Sequence, residues 1–147
     1  MPRVSQKDAL KTRAKIVDVA LELLLAQGLD ALTFTNIAVA ANIGRSSINN
    51  HFKVKQDLMD ELRPRIGGMI ELRLDFSSGK AFYDSWVLAI KQDQEFRKII
   101  NGLSILINSD EGVEGLKQRL VADPENAEQY IYMAIGYAVV NLPHYDL

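Results

Sequence analysis

Between Thr33 and Phe52, two stretches with helical spacing of apolar residues follow one another, separated only by Asn42, Ile43 and Gly44. Neither stretch can hold a helix in water alone, because isolated helices shorter than about 12–15 residues are marginal. Each must therefore pack on another element, and so tight a turn makes the pair a helix-turn-helix. Thr33 is placed to cap the first helix, Phe34 to Ala41, with Ile37, Ala38 and Ala41 facing inward. Asn42 tolerates the left-handed conformation that closes a helix, so the chain can turn there. The second helix is expected from Arg45 to Phe52. It buries Ile48 and Phe52 and leaves Arg45, Ser46, Ser47, Asn49 and Asn50 outward.

The bracing element lies upstream. Ile16, Val17, Ala20, Leu23 and Leu24 fall at spacings of three and four, and Gly28 supplies a left-handed stop. Thr12 can cap this helix, or Ser5 with Asp8 can cap a longer version. After Lys53 to Gln56, a fourth helix is expected to carry Leu58, Met59, Leu62, Ile66, Met69, Ile70 and later Phe76. Pro64 interrupts it, lacking an N–H and clashing with the preceding turn, so a kink or restart is expected there. Ser77 to Lys80 reads as a break. Helical stretches follow near Ala81 to Gln92, Asp93 to Asn108, Gly112 to Ala122 and Pro124 to Asn141. Strand signals are scarce. The fold class is all-α: a three-helix helix-turn-helix domain over residues 1–60, then a small helical bundle over residues 61–147.

The outward side chains of the Arg45–Phe52 helix suit the major groove of DNA. Arg45 can donate two hydrogen bonds to guanine O6 and N7, Asn49 and Asn50 match adenine N6 and N7, and Ser46 and Ser47 are short enough to allow close approach. Thr33 and Thr35 can reach a phosphate from the preceding helix, and Lys55 stands where the next helix begins, a position suited to phosphate. The competing reading is a three-helix packing unit with a polar outer face.

Charge is distributed in keeping with the nucleic-acid reading, although the whole chain carries a net −2. Residues 1–60 hold eight Lys and Arg against six Asp and Glu, and residues 61–147 hold nine against thirteen. Arg3, Lys7, Lys11, Arg13 and Lys15 form a basic arm suited to phosphates, or a solvated N-terminus. The absence of cysteine excludes disulfides, thiolate metal sites and cysteine nucleophiles and is compatible with the cytoplasm. The nearly apolar run from Ile131 to Val140 falls short of the ~20 residues a membrane span needs, and no signal-peptide pattern precedes it, so no membrane partner is expected. Enzymatic activity is not expected. The histidines are His51 and His144 alone, and HExxH, GxGxxG and GxSxG are all absent. No cofactor or metal is called for.

The run TFTNIAVAANIGRSSINNHFKVKQDL resembles the signature of the TetR family of transcriptional regulators, carried by Thr33, Ile37, Ala38, Ala40, Ala41, His51, Phe52, Lys55 and Leu58. Arg13, Ile16, Ala20, Leu23 and Gly28 also match that family's first helix. The resemblance covers about the first sixty residues and implies that Arg45, Ser47, Asn50 and His51 touch bases or phosphates and that Lys55 touches a phosphate. For His51 the alternative is a role in orienting the local structure before a buried Phe. Three positions depart from the pattern: Asn42 stands where Gly is usual, Gly44 where Ser or Thr caps the recognition helix, and Asn49 where Tyr is usual.

Beyond residue 80 no subfamily is matched. The resemblance implies that this region binds a small effector and forms a homodimer. The chain is short for the family, consistent with a missing dimer helix or a truncated form. Phe82, Trp86 and Tyr130 are candidate ligand-lining residues, with plain core packing as the alternative. Ile131, Ala134, Ile135, Ala138 and Val139 form an apolar stripe expected to meet a second copy. The function expected is a dimeric repressor that binds an operator and is released by an effector. The alternative is a DNA-binding protein of the same fold acting in nucleoid organisation or partner binding.

Overall fold

The computed structural model describes residues 5–103 and 110–146; Arg3 and the residues expected to extend a helix to Asn108 lie outside that range. The helices among the described residues are α1 (Gln6–Gln27), α2 (Phe34–Ala41), α3 (Arg45–His51), α4 (Lys55–Glu71), α5 (Gly79–Gln92), α6 (Gln94–Gly102), α7 (Asp110–Arg119) and α8 (Pro124–Asn141), with 3-10 turns at Leu29–Ala31 and Leu142–His144. No strand occurs among them. They fall into two compact units divided between Arg65 and Ile66, inside α4, where the sequence reading divided the chain after residue 60.

The first unit is built on α1, which takes the longer of its two possible forms. Ser5 caps it: its hydroxyl accepts from the Asp8 N–H at 3.1 Å and donates to the Asp8 carboxylate at 2.8 Å. Thr12 instead bonds back to the Asp8 carbonyl. Gly28 ends the helix at φ 86° with an extended ψ of 179°, a backbone that favours glycine but differs from the left-handed helical stop expected. Ile16, Ala20, Leu24, Leu32, Ile37, Ile48, Phe52, Leu58 and Leu62 are fully buried and form the core of this unit. Full burial of each large side chain contributes ~1.5–3 kcal/mol, which is what holds helices as short as α2 and α3.

Helix α4 is continuous from Lys55 to Glu71 with Pro64 inside it, rather than restarting at Arg63-Pro64. It stops at Glu71, so Phe76 lies beyond it in the connection to α5 and packs on Phe82, with ring centroids 5.5 Å apart.

In the second unit, α5 packs along α8. Phe82, Trp86, Ile90, Phe96, Ile99, Ile131 and Ala134 are fully buried. The Trp86 ring meets Phe96 edge-on at 5.3 Å, the geometry favoured by aromatic quadrupoles. The first N–H of α5, at Gly79, is satisfied from a distance by the Asp123 carboxylate at 2.9 Å. The apolar stripe expected to meet a second copy is divided. Ile131, Ala134 and Ala138 are buried in this unit, Ile135 is half-buried, and Val139 is exposed. A helix with apolar residues on two faces does not declare which face its own chain will cover.

Candidate nucleic-acid interface

Thr33 caps α2 by accepting from the Asn36 N–H at 3.1 Å, and the Asn36 amide donates to the Ala31 carbonyl at 2.9 Å. Both ends of α2 are therefore fixed, because Asn42 closes it in the left-handed conformation, φ 55° and ψ 47°. The Asn42 and Ile43 N–H groups bond back into the last turn. Gly44 starts α3 with no side-chain cap. The turn thus requires a residue tolerant of positive φ at position 42, and Asn meets it without glycine.

The outer surface of α3 carries Arg45, Ser46, Asn49 and Asn50, all exposed and spaced as one helical face. Ser47 and His51 flank it, half-buried, and Ile48 and Phe52 are fully buried opposite. Phe52 lies one residue past the end of α3, not within it. Arg45 does not extend freely from the helix start. Its Nη1 donates to Thr35 Oγ1 at 2.8 Å, and the guanidinium lies 5.7 Å from the Phe34 ring centroid. Thr35 and Arg45 therefore come together, while the Thr33 hydroxyl is engaged in capping. Lys55, exposed, is the first residue of α4. This surface offers paired amide and guanidinium donors alongside hydroxyls and carries no acidic side chain on α3, a chemistry that fits base edges and phosphates.

Sequence reasoning took Arg13 only as part of a basic arm and a motif match. In the structure its Nη1 donates to the His51 carbonyl at 2.8 Å, its Nε donates to Glu61 Oε1 at 2.7 Å, Nη2 also pairs with Glu61, and the guanidinium lies 4.3 Å from the Phe52 ring centroid. The signal was its position: Arg13 is three and four residues before Ile16 and Val17, on the face of α1 that turns inward.

The three ligand candidates are distributed differently. Phe82 and Trp86 are fully buried core residues, and Trp86 Nε1 has no hydrogen-bond partner among the described residues. Tyr130 is half-buried beside Tyr83, 6.4 Å between centroids, and its ring fills the space a side chain would need at Gly79. Among the described residues there is no cluster of metal-ligating side chains, and no helix is long and apolar enough to cross a membrane.

Two short helices joined by a left-handed Asn and braced by a third, with a polar outer face on the second, define a helix-turn-helix. Residues 16–62 match the family described as "Bacterial regulatory proteins, tetR family". The HTH-type transcriptional regulator AcrR of Shigella flexneri is 42% identical over 62 residues, covering 42% of this chain and 29% of AcrR. The HTH-type transcriptional regulator SrpR of Pseudomonas putida is 28% identical over 149 aligned residues, covering 95% of this chain and 66% of SrpR. That likeness extends past the motif of the first sixty residues. The chain spans less than two thirds of the length of both regulators. Among solved structures, NalD of Pseudomonas aeruginosa, the secondary repressor of the MexAB-OprM multidrug efflux pump, has a similar fold at 20% identity, with a TM-score of 0.50 over 96% of this chain and 90% of that one.

Proposed function

We propose that the protein is a cytoplasmic, homodimeric transcriptional repressor that reads a two-fold-related operator with α3 and is released when a small molecule binds its second unit. The observation that carries this reading is the face of α3, where Arg45, Ser46, Asn49 and Asn50 stand together in solvent with Thr35 adjoining. Arg45 and the two Asn side chains read base edges, while Thr33, Thr35, Ser47, His51 and Lys55 contribute contacts at the rim, chiefly to phosphates. The likeness to AcrR and SrpR, both HTH-type transcriptional regulators, supports it.

Dimerisation is supported by the outer face of α8, where Met133, Val139 and Val140 are 41%, 60% and 66% exposed. One helix-turn-helix alone covers too little DNA for tight specific binding, and two-fold pairing doubles the contact. An effector is supported by the buried indole N–H of Trp86 beside Phe82, which has no partner among the described residues, since a buried donor left so carries a desolvation cost that an acceptor on a ligand relieves.

Selection of bound duplexes from fragments of the source genome tests the DNA reading. The expected result is a few discrete sites with two-fold-related half-sites, outcompeting bulk DNA by a factor of about 10³ or more. Uniform binding to all fragments would indicate an organising role, and no binding would end the reading.

A further inference from the structure

We infer that Arg13 is the positioning residue of the recognition helix: it holds the C-terminal end of α3 against α1 and α4 and touches no phosphate itself. This rests on the DNA-binding reading of α3. Three elements converge on its guanidinium. Nη1 donates to the carbonyl of His51, the last residue of α3, where the helix leaves carbonyls without internal partners. Nε and Nη2 are held by Glu61 of α4, and the planar group lies over the ring of Phe52, which follows α3 directly. A cation is also the favourable charge at a helix C-terminus.

The side chains of Arg13 and Glu61 remain 35% and 37% exposed. An ion pair that exposed adds little to global stability, so its main consequence is geometric. Only a planar fork can serve the carbonyl, the carboxylate and the ring face together, which an ammonium at the same place cannot do. Because α3 is only seven residues long, fixing its last carbonyl and the ring just beyond it fixes the direction in which Asn49 and Asn50 point.

Arg13→Gln and Glu61→Gln are the test variants, studied in the full chain. Their binding would be titrated at several salt concentrations on a duplex selected from random DNA by the wild type and on a scrambled duplex of equal length. Amide hydrogen exchange of the free proteins would be measured in parallel. Both variants are expected to bind the selected duplex about tenfold more weakly, the loss of one hydrogen bond to a charged group, with the scrambled duplex changed far less. The slope of log affinity against log salt should match the wild type. Exchange at α3 amides should rise about tenfold while α2 is unchanged, since only the latched segment loosens.

Glu61→Gln gives a test of sign. Freeing a cation at a phosphate would strengthen binding to both duplexes, whereas loss of positioning weakens the selected one. If Arg13→Gln lowers the salt slope by about one per protomer and weakens both DNAs equally, Arg13 is a phosphate contact and the inference is overturned. Equal acceleration of exchange in every helix, or no change in binding and exchange, overturns it as well. Should the wild type prefer no duplex, the DNA-binding reading falls, and the exchange pattern alone decides whether Arg13 latches α3.

Discussion

Arg45 Nη1 donates to Thr35 Oγ1 at 2.8 Å, so the first side chain of α3 is tied to the first turn of α2 before it. The bond uses one of five guanidinium donors and restricts where the remainder can point. A side chain held this way has less conformational freedom to lose on binding a partner.

Arg45→Ala is expected to cost ~1–3 kcal/mol on the preferred duplex and to relax preference at one base-pair position per half-site. Lys55→Ala should instead weaken preferred and scrambled DNA alike and lower the salt slope by about one per protomer. Titrations of both mutants on both DNAs check the contrast. Equal losses on both DNAs for Arg45→Ala would assign that residue to the backbone.

The outer and inner faces of α8 should respond differently to substitution. Val139→Glu places a charge on the exposed face and is expected to leave the fold intact while shifting a dimer to monomer. Ile131→Ala removes a fully buried side chain and should lower stability by ~2–5 kcal/mol through the cavity it leaves. Sedimentation and thermal melts read the two effects. A wild-type protein that is monomeric both free and on DNA would remove the dimer proposal.

Asp93 caps α6 by accepting from the Phe96 N–H at 3.0 Å and also accepts from Arg73 Nε at 2.9 Å. Burial alone would raise its pKa. The hydrogen bonds from Phe96 and Arg73, with the Arg73 charge, outweigh that and hold it below the ordinary value of 3.8. A carboxylate depressed on folding contributes stability above its unfolded pKa and loses it as pH falls through the folded one. Asp93→Ala should therefore cost about 1 kcal/mol at neutral pH, the usual worth of such a cap. Its melting-temperature difference from wild type should shrink below the carboxylate range. A difference constant from neutral to strongly acid pH would contradict the assignment.

Two glycines give opposite expectations. Any side chain at Gly79 meets the Tyr130 ring, so Gly79→Ala should destabilise by about 1–3 kcal/mol despite the gain in helix propensity. At Gly68, inside α4, a Cβ meets nothing within 4 Å, and Gly68→Ala should stabilise by up to ~1 kcal/mol. Chemical denaturation of both variants measures the signs.

Much of the first unit was legible in the sequence because its signals are local. The Thr33 cap, the left-handed Asn42, and the inward Ile37, Ile48 and Phe52 each follow from a residue's own backbone preference or from a spacing of three and four. The same logic placed Arg45, Ser46, Asn49 and Asn50 outward. Local preference was less able to weigh Pro64, whose cost is absorbed within a continuous α4, because packing of the surrounding helix outweighs one residue's propensity.

What only the tertiary structure decided are relationships between residues far apart in the chain. Arg13 finds His51 and Glu61 across 38 and 48 positions, and Arg45 finds Thr35 across ten. Which apolar face of α8 is covered by α5, and which is left to solvent, was likewise settled by packing. Helical period identifies an apolar face but carries no information about what covers it. A basic side chain is written the same way whether it meets a phosphate, a carboxylate or the end of a helix. The partner is chosen by where the fold brings the chain together, and that lies outside any local window of sequence.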